Sequence, residues 1–322
     1  MRQRYLGNTG LKVSRLGLGT WTWGSDVDEH EAAEQLRAFV NAGGTLVDTA
    51  SGYGRGASEA LIGALLGQVV ERDDLVIATK AGIALTRGEL VQDTSRRSML
   101  RTLDKSLQRL GVDHIDLWQV HVASDDVPVD ETLSALDAAV ASGRARYVGV
   151  SNYSGWQTAQ AATHQLGAPG RVRLASTQME YSLLQRGIER EVVPAARALG
   201  LGILPWSPLG RGVLTGKYRS GVPADSRGAS DTFGGYVAEF LTPGSARIVE
   251  AVCRAAEGLD LSPPQVALAW VRDQPGVTAP IVGARTAAQL ADSLGSEDVV
   301  LPEEIVDALD DVSAPVLGYP EV

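Results

Sequence analysis

Apolar runs of strand length recur along the chain, and each is followed by a stretch whose apolar residues fall at helical spacing. The strand-length runs lie at 15–18, 45–49, 75–80, 115–120, 146–150, 174–179, 202–206 and 278–282. Helices are predicted near 28–42, 58–66, 95–110, 130–141, 154–166, 188–199, 245–258 with 263–272, and 286–294. Gly43, Gly111, Gly143, Gly167 and Gly200 stand where helices should end, the place of a left-handed cap. Eight β-α units without a Pro/Ser/Gly-rich linker between them predict an α/β fold, one (β/α)8 TIM barrel spanning residues 1–322. The alternative is a doubly wound open sheet. That fold calls for a phosphate-binding glycine turn after the first strand, and Gly17, Gly19 and Gly24 lack the spacing.

Three segments fall outside the repeat. Residues 4–13 contain Gly7-Asn8-Thr9-Gly10 and read as a β-hairpin able to plug one barrel end. Residues 302–312 read as an additional C-terminal helix. Residues 210–244 are rich in Gly, Ser, Pro and Arg and show no periodicity; a loop that long is a functional lid or a disordered segment.

Composition narrows the function classes. The 44% hydrophobic fraction is ample for a core, and no apolar run approaches the roughly 18 residues of a membrane helix. The N-terminus lacks the apolar stretch of a secretory peptide, which points to a cytoplasmic address. Cys253 is the only cysteine, so an intrachain disulfide and a thiolate-rich metal site are excluded. A net charge of −10 argues against nucleic acid as a partner. Small ligands remain, and local basic patches suit a phosphorylated one.

A barrel enzyme places its reactive groups at the C-terminal ends of its strands. Asp48 ends the second predicted strand, Lys80 the third and His121 the fourth; Ser151 and Asn152 end the fifth, and Gln178 lies late in the sixth. Each also has an ordinary reading. Asp48 suits a turn, Lys80 a solvated strand end, His121 a core position, and Tyr53 a cover for apolar surface. Together they suit one reaction. A tyrosine with a pKa of about 10 is a poor acid until a neighbouring ammonium lowers it. Lys80 supplies that charge, Asp48 holds the lysine by a charge-assisted hydrogen bond, and His121 orients a substrate oxygen. Such a set gives a proton to an oxygen that is gaining negative charge.

The motifs carrying these residues resemble the aldo-keto reductase family over about the whole chain. They are Leu-Val-Asp-Thr-Ala-Ser-Gly-Tyr-Gly around Asp48 and Tyr53, Ala-Thr-Lys at Lys80, and Asp-Leu-Trp-Gln-Val-His at His121. Further pieces are Gly-Arg-Ala-Arg-Tyr-Val-Gly-Val-Ser-Asn ending at Asn152, Gln-Met-Glu-Tyr-Ser-Leu-Leu from Gln178, and Pro-Trp-Ser-Pro-Leu-Gly-Arg-Gly from Pro205. The branch resembled contains potassium-channel β subunits and bacterial reductases.

That resemblance implies NADPH-dependent reduction of an aldehyde or ketone without a metal. It implies Tyr53 as acid, Lys80 and Asp48 as its tuning pair, and His121 as the orienting residue. Ser151, Asn152 and Gln178 would bond the nicotinamide carboxamide, and Trp206 would stack on the ring. Thr20 and Trp21 match positions beside the cofactor, and Ser207, Leu209, Gly210, Arg211 and Lys217 match pyrophosphate contacts. In the last β-α turn, Gly283 and Arg285 precede a helix whose N-terminus suits a phosphate, with the Arg285 fork suited to a 2′-phosphate. Gln289, Asp292 and Ser293 match positions near the adenosine, Ser293 standing where the family often has Asn.

The residue after the catalytic histidine is often Trp in the family; here it is Val122, which widens the substrate pocket. Trp21 and Trp23 are the expected aromatic walls beside Tyr53 and His121. Two other functions use the same residues. One is an NADP(H)-binding regulatory or sensor subunit with little turnover; the other is a Schiff-base lyase with Lys80 as nucleophile, which Asp48 beside it disfavours.

Overall fold

The computed structural model describes residues 1–86, 89–231, 233–315 and 318. The chain begins with an antiparallel hairpin, β1 (Gln3–Tyr5) and β2 (Lys12–Ser14), with Arg4 opposite Val13. The β-α units then follow: β3 (Gly17–Gly19) and α1 (Glu29–Asn41), β4 (Leu46–Asp48) and α2 (Ala57–Leu65), and β5 (Val76–Ala81). A second hairpin, β6 (Ile83–Thr86) and β7 (Glu89–Gln92), interrupts the alternation before α3 (Arg96–Leu110). The pattern resumes with β8 (Ile115–Val120), α4 (Val129–Ala141), β9 (Ala145–Ser151), α5 (Gly155–Leu166), β10 (Leu174–Glu180), α6 (Val192–Leu199) and β11 (Gly202–Trp206). Short α7 (Gly234–Ala238) precedes α8 (Pro243–Leu259), α9 (Pro263–Arg272), β12 (Ile281–Val282), α10 (Ala287–Leu294) and α11 (Glu303–Ser313).

Eight parallel strands pair in the order β11-β10-β9-β8-β5-β4-β3-β12. A parallel bridge from Ile203 to Val277 brings the ends together, so the sheet closes into a (β/α)8 barrel. The last strand is shorter than predicted because Pro280 has no N–H to give the ladder. The sixth predicted helix starts late, behind a 3-10 turn at Gly187–Glu189. Gly43, Gly111, Gly143 and Gly200 are left-handed, whereas Gly167 has φ −79° and is not.

Strand residues alternate between two cores, as a period of two requires. Val47, Ile77, Trp118 and Ile203 face the helices, joining Leu36, Leu103, Leu136 and Trp270. Leu46, Ala78, Leu117 and Leu204 face inward and form a separate apolar cluster with Leu6 and Val13 of the N-terminal hairpin. The hairpin thus stoppers the lower end of the barrel. At Gly7 (φ 54°) a Cβ would come closer than 3.0 Å to Gly200 O, Gly202 N and Ala175 O, so only glycine lets the stopper seat. Among the described residues no helix is long and apolar enough to cross a membrane.

Candidate active site

The upper end of the barrel opens into a cavity of 760 Å³. Its floor is built by the strand ends: Thr20 after β3, Asp48 closing β4, His121 after β8, Ser151 closing β9, Gln178 in β10 and Trp206 closing β11. Registry explains the convergence. Gly19 lies opposite Asp48, Lys80 opposite Gln119, and Gln178 opposite Ser151, so successive strands end on neighbouring rungs.

Lys80 is fully buried beneath this floor. Its ammonium donates to Asp48 Oδ2 at 2.6 Å, to the Thr49 carbonyl at 2.9 Å and to the Tyr53 hydroxyl at 3.5 Å. All three of its protons therefore have acceptors. Gln178 Nε2 donates to the other carboxylate oxygen, Asp48 Oδ1, at 2.8 Å. Burial opposes the charge on Lys80, but Asp48 and Tyr53 outweigh it and its pKa rises. Tyr53 departs from the expected direction. Burial pushes its hydroxyl above the ordinary value and Lys80 pulls it only partway back, so the phenol is held protonated.

The rings of Tyr53 and His121 meet edge to face at 5.8 Å. Burial, with Lys80 adding repulsion, drives the His121 pKa down to about 3, and its Nδ1 is buried without a partner among the described residues. The imidazole is neutral at physiological pH. Asn152, left-handed at φ 56°, donates from Nδ2 to the His121 carbonyl (3.0 Å) and to Ser151 Oγ (3.2 Å), and accepts from Trp206 Nε1 at 3.0 Å. Those bonds fix the indole at the cavity wall.

The cavity runs from this cluster to the last β-α turn, where Gly283, Arg285, Gln289, Asp292 and Ser293 line it. Leu209, Ser207, Lys217 and Arg227 line the stretch between. The Arg227 guanidinium lies over the Trp21 ring at 5.4 Å and makes no hydrogen bond or ion pair among the described residues. Burial and then neighbouring Arg285 lower the pKa values of both Lys217 and Arg227, with Arg227 adding to the effect on Lys217. Three cations thus crowd one end of the cavity. Trp21 meets Phe233 at 5.0 Å and Tyr236 at 5.6 Å, which brings the long segment after β11 across the mouth.

Several expected residues lie elsewhere. Trp23 is not a cavity wall: it is fully buried in the outer core, where Nε1 donates to Gln35 Oε1 of α1. Val122 does not line the cavity, nor does Gly210, whose backbone packs on Leu184. Arg211 reaches the cavity wall, but its guanidinium is engaged by Glu180 at 2.9 and 3.0 Å, by Glu239 and by the Tyr236 carbonyl, and it stacks on Tyr236 at 3.6 Å. It ties the crossing segment to β10 and has little left for a phosphate. The Thr20 hydroxyl is likewise taken, by the Asp48 carbonyl (3.1 Å) and Ser58 (2.8 Å). Sequence reading missed Arg227 and Tyr236, both inside the aperiodic segment. The one available signal was a basic residue in a loop already suspected of covering the site. Among the described residues no His, Cys, Asp and Glu cluster suits a metal ion.

Comparison with known proteins agrees with this geometry. The aldo/keto reductase family model matches residues 15–314. An uncharacterized oxidoreductase, YrpG, of Bacillus subtilis is 36% identical over 97% of this chain and 96% of its own length. The L-glyceraldehyde 3-phosphate reductase of Escherichia coli K12 is 33% identical over 91% of this chain and 87% of its own. A probable voltage-gated potassium channel subunit beta of rice, Oryza sativa, is 34% identical over 97% and 96%. With an eight-stranded parallel barrel, a family match over nearly its whole length and such relatives, the chain belongs to the aldo/keto reductase family of oxidoreductases.

Proposed function

We propose that this oxidoreductase reduces an aldehyde or ketone to an alcohol with NADPH, with Tyr53 as the proton donor. The observation that carries the reading is the buried Lys80, joined to Asp48 on one side and to the Tyr53 hydroxyl on the other at the floor of the cavity. Because burial keeps the phenol protonated, it offers a proton to a carbonyl oxygen as that oxygen gains charge. Lys80, held charged by Asp48, then stabilises the tyrosinate left behind. Neutral His121 is no acid at physiological pH; it offers one N–H that orients the carbonyl.

The cavity fits the cofactor through its charges. Lys217, Arg227 and Arg285 crowd together, and among the described residues none of them forms an ion pair with a carboxylate, an arrangement that suits the phosphates of a dinucleotide. Ser151, Asn152 and Gln178 would hold the nicotinamide carboxamide beside Trp206, and Ser207, Leu209 and Lys217 the pyrophosphate. Arg285, Gln289, Asp292 and Ser293 would hold the adenosine and its 2′-phosphate. When bound, NADPH supplies the hydride. The segment after β11, anchored by Arg211 and lying on Trp21, acts as the lid. Trp21, Ile83, Tyr53 and His121 form the substrate end of the cavity.

Loss of NADPH absorbance across a panel of aldehydes and ketones tests the reading, with wild type and Tyr53→Phe side by side. Turnover by wild type, with a variant that binds NADPH equally but turns over poorly, is expected. A variant that keeps most of its activity removes Tyr53 as donor. Tight NADPH binding with no turnover of any carbonyl favours instead a cofactor-sensing subunit, a reading to which the rice relative points.

A further inference from the structure

Tyr53 does not stand on a regular element. It opens a short 3-10 turn, Tyr53–Gly56, whose next three residues, Gly54 (φ 53°), Arg55 (φ 57°) and Gly56 (φ 98°), are all left-handed. Left-handed backbone is disfavoured for arginine, and such a turn keeps its shape only where its surroundings fix it.

Arg109, in the last turn of α3, reaches both ends of this turn. Its Nη1 donates to the Ser51 carbonyl at 3.2 Å, on the entry side. On the exit side its guanidinium packs against Gly56, where a Cβ would come closer than 3.0 Å to Nη1, Nε and Cζ. The same Nη1 lies 3.2 Å from Glu59 Oε2. Glu59 is fully buried in the first turn of α2, and its other oxygen accepts from Thr79 Oγ1 at 2.7 Å. Thr79 is the residue before Lys80 on β5. Beside Glu59, Ser58 Oγ donates to the Thr20 carbonyl at 2.9 Å and bonds the Thr49 hydroxyl at 2.9 Å. The exit of the turn is therefore tied to the ends of β3, β4 and β5.

We propose that Arg109 and Glu59 are positioning residues for the proton donor, clamping the Tyr53 turn so that the phenol stays within reach of the Lys80 ammonium. The proposal rests on the reading of Tyr53 as donor. Neither residue lines the cavity, and the contacts of the pair end on the turn itself or beside Lys80. An ion pair between a buried carboxylate and a part-exposed guanidinium adds little stability compared with apolar packing, so its value here is geometric.

The test uses Arg109→Met combined with Glu59→Gln, which leaves no buried carboxylate without its cation, and Arg109→Lys as the conservative variant. In the double variant kcat per folded molecule falls on the order of 100-fold, with KM and NADPH affinity within about twofold of wild type, as for a misplaced reacting group. The basic limb of the kcat pH profile moves to higher pH as Tyr53 loses the pull of Lys80. Arg109→Lys recovers part of the rate, since it keeps the charge but not the fork. Amide hydrogen exchange across residues 51–57 speeds up in the double variant, with or without turnover. Unchanged exchange overturns the clamp, and so does a lower melting temperature at unaltered kcat and pH profile. Full activity in Tyr53→Phe removes the donor assignment instead, and exchange alone then judges the clamp.

Discussion

The two ends of the cavity handle charge in opposite ways. At the inner end every charged group is answered by the protein: Lys80 has Asp48, the Thr49 carbonyl and Tyr53, and Asp48 has Lys80 and Gln178. At the outer end Lys217, Arg227 and Arg285 repel one another, and among the described residues the Arg285 guanidinium has a carbonyl, that of Asp225 at 2.6 Å, in place of a carboxylate. A charge that must stay put through a reaction is built in. A charge that must greet a ligand is left unanswered.

Perturbing each end breaks the contrast in a different way. The largest effect is expected for Tyr53→Phe, which removes the proposed acid and should lower kcat by about 100- to 10,000-fold with NADPH affinity intact, read by steady-state kinetics beside cofactor titration. Next comes Lys80→Met. It leaves the Asp48 carboxylate buried without its cation, and should destabilise the fold by about 3–5 kcal/mol in denaturant titration. Adding Asp48→Asn should return most of that stability without returning activity.

The outer end should answer with the other sign. Arg227→Ala removes a repelling cation, so the ligand-free melting temperature should hold or rise, while NADPH affinity drops by the roughly 1.5–3 kcal/mol of a charge-assisted hydrogen bond. Arg285→Ala should weaken NADPH but not NADH; equal weakening of both removes the 2′-phosphate role. The smallest effect near neutral pH belongs to His121. Its folded pKa of about 3 lies below the ordinary 6.5, so between these pH values the unfolded chain binds the extra proton. Stability should fall toward acid through that window by up to roughly 1.4 kcal/mol per pH unit, and His121→Asn should flatten that part of the profile.

The barrel was legible because its signals are local. Apolar runs of strand length alternating with helical spacing located all eight barrel strands, and Ser, Thr and Asp caps began helices where they stood, as Asp28 does by accepting from Glu31 N. The strand-end residues followed from the fold, since registry alone brings Asp48, Gln178 and Ser151 to one floor. What escaped depends on partners distant in sequence. Nothing in the residues around Trp23 says that Gln35 will bury its indole N–H, and nothing around Arg211 announces Glu180 and Glu239. The direction of the Tyr53 shift escaped for the same reason: a motif names the neighbouring ammonium but not the depth at which both groups lie. Arg109 and Glu59, fifty residues apart, belong to this class too.

The hairpin stopper has a bearing on how this molecule tolerates change. Leu6 and Val13 seal the lower end with their own apolar cluster and do not line the mouth cavity, which meets that cluster at Ile281 of the last strand. Variation is thereby sorted by address. Changes at Leu6, Gly7 or Val13 should appear as less folded protein with unaltered selectivity, and changes at Trp21 or Ile83 as a new preference among carbonyls at unaltered yield. A library seeking new substrates can leave one end of the barrel untouched.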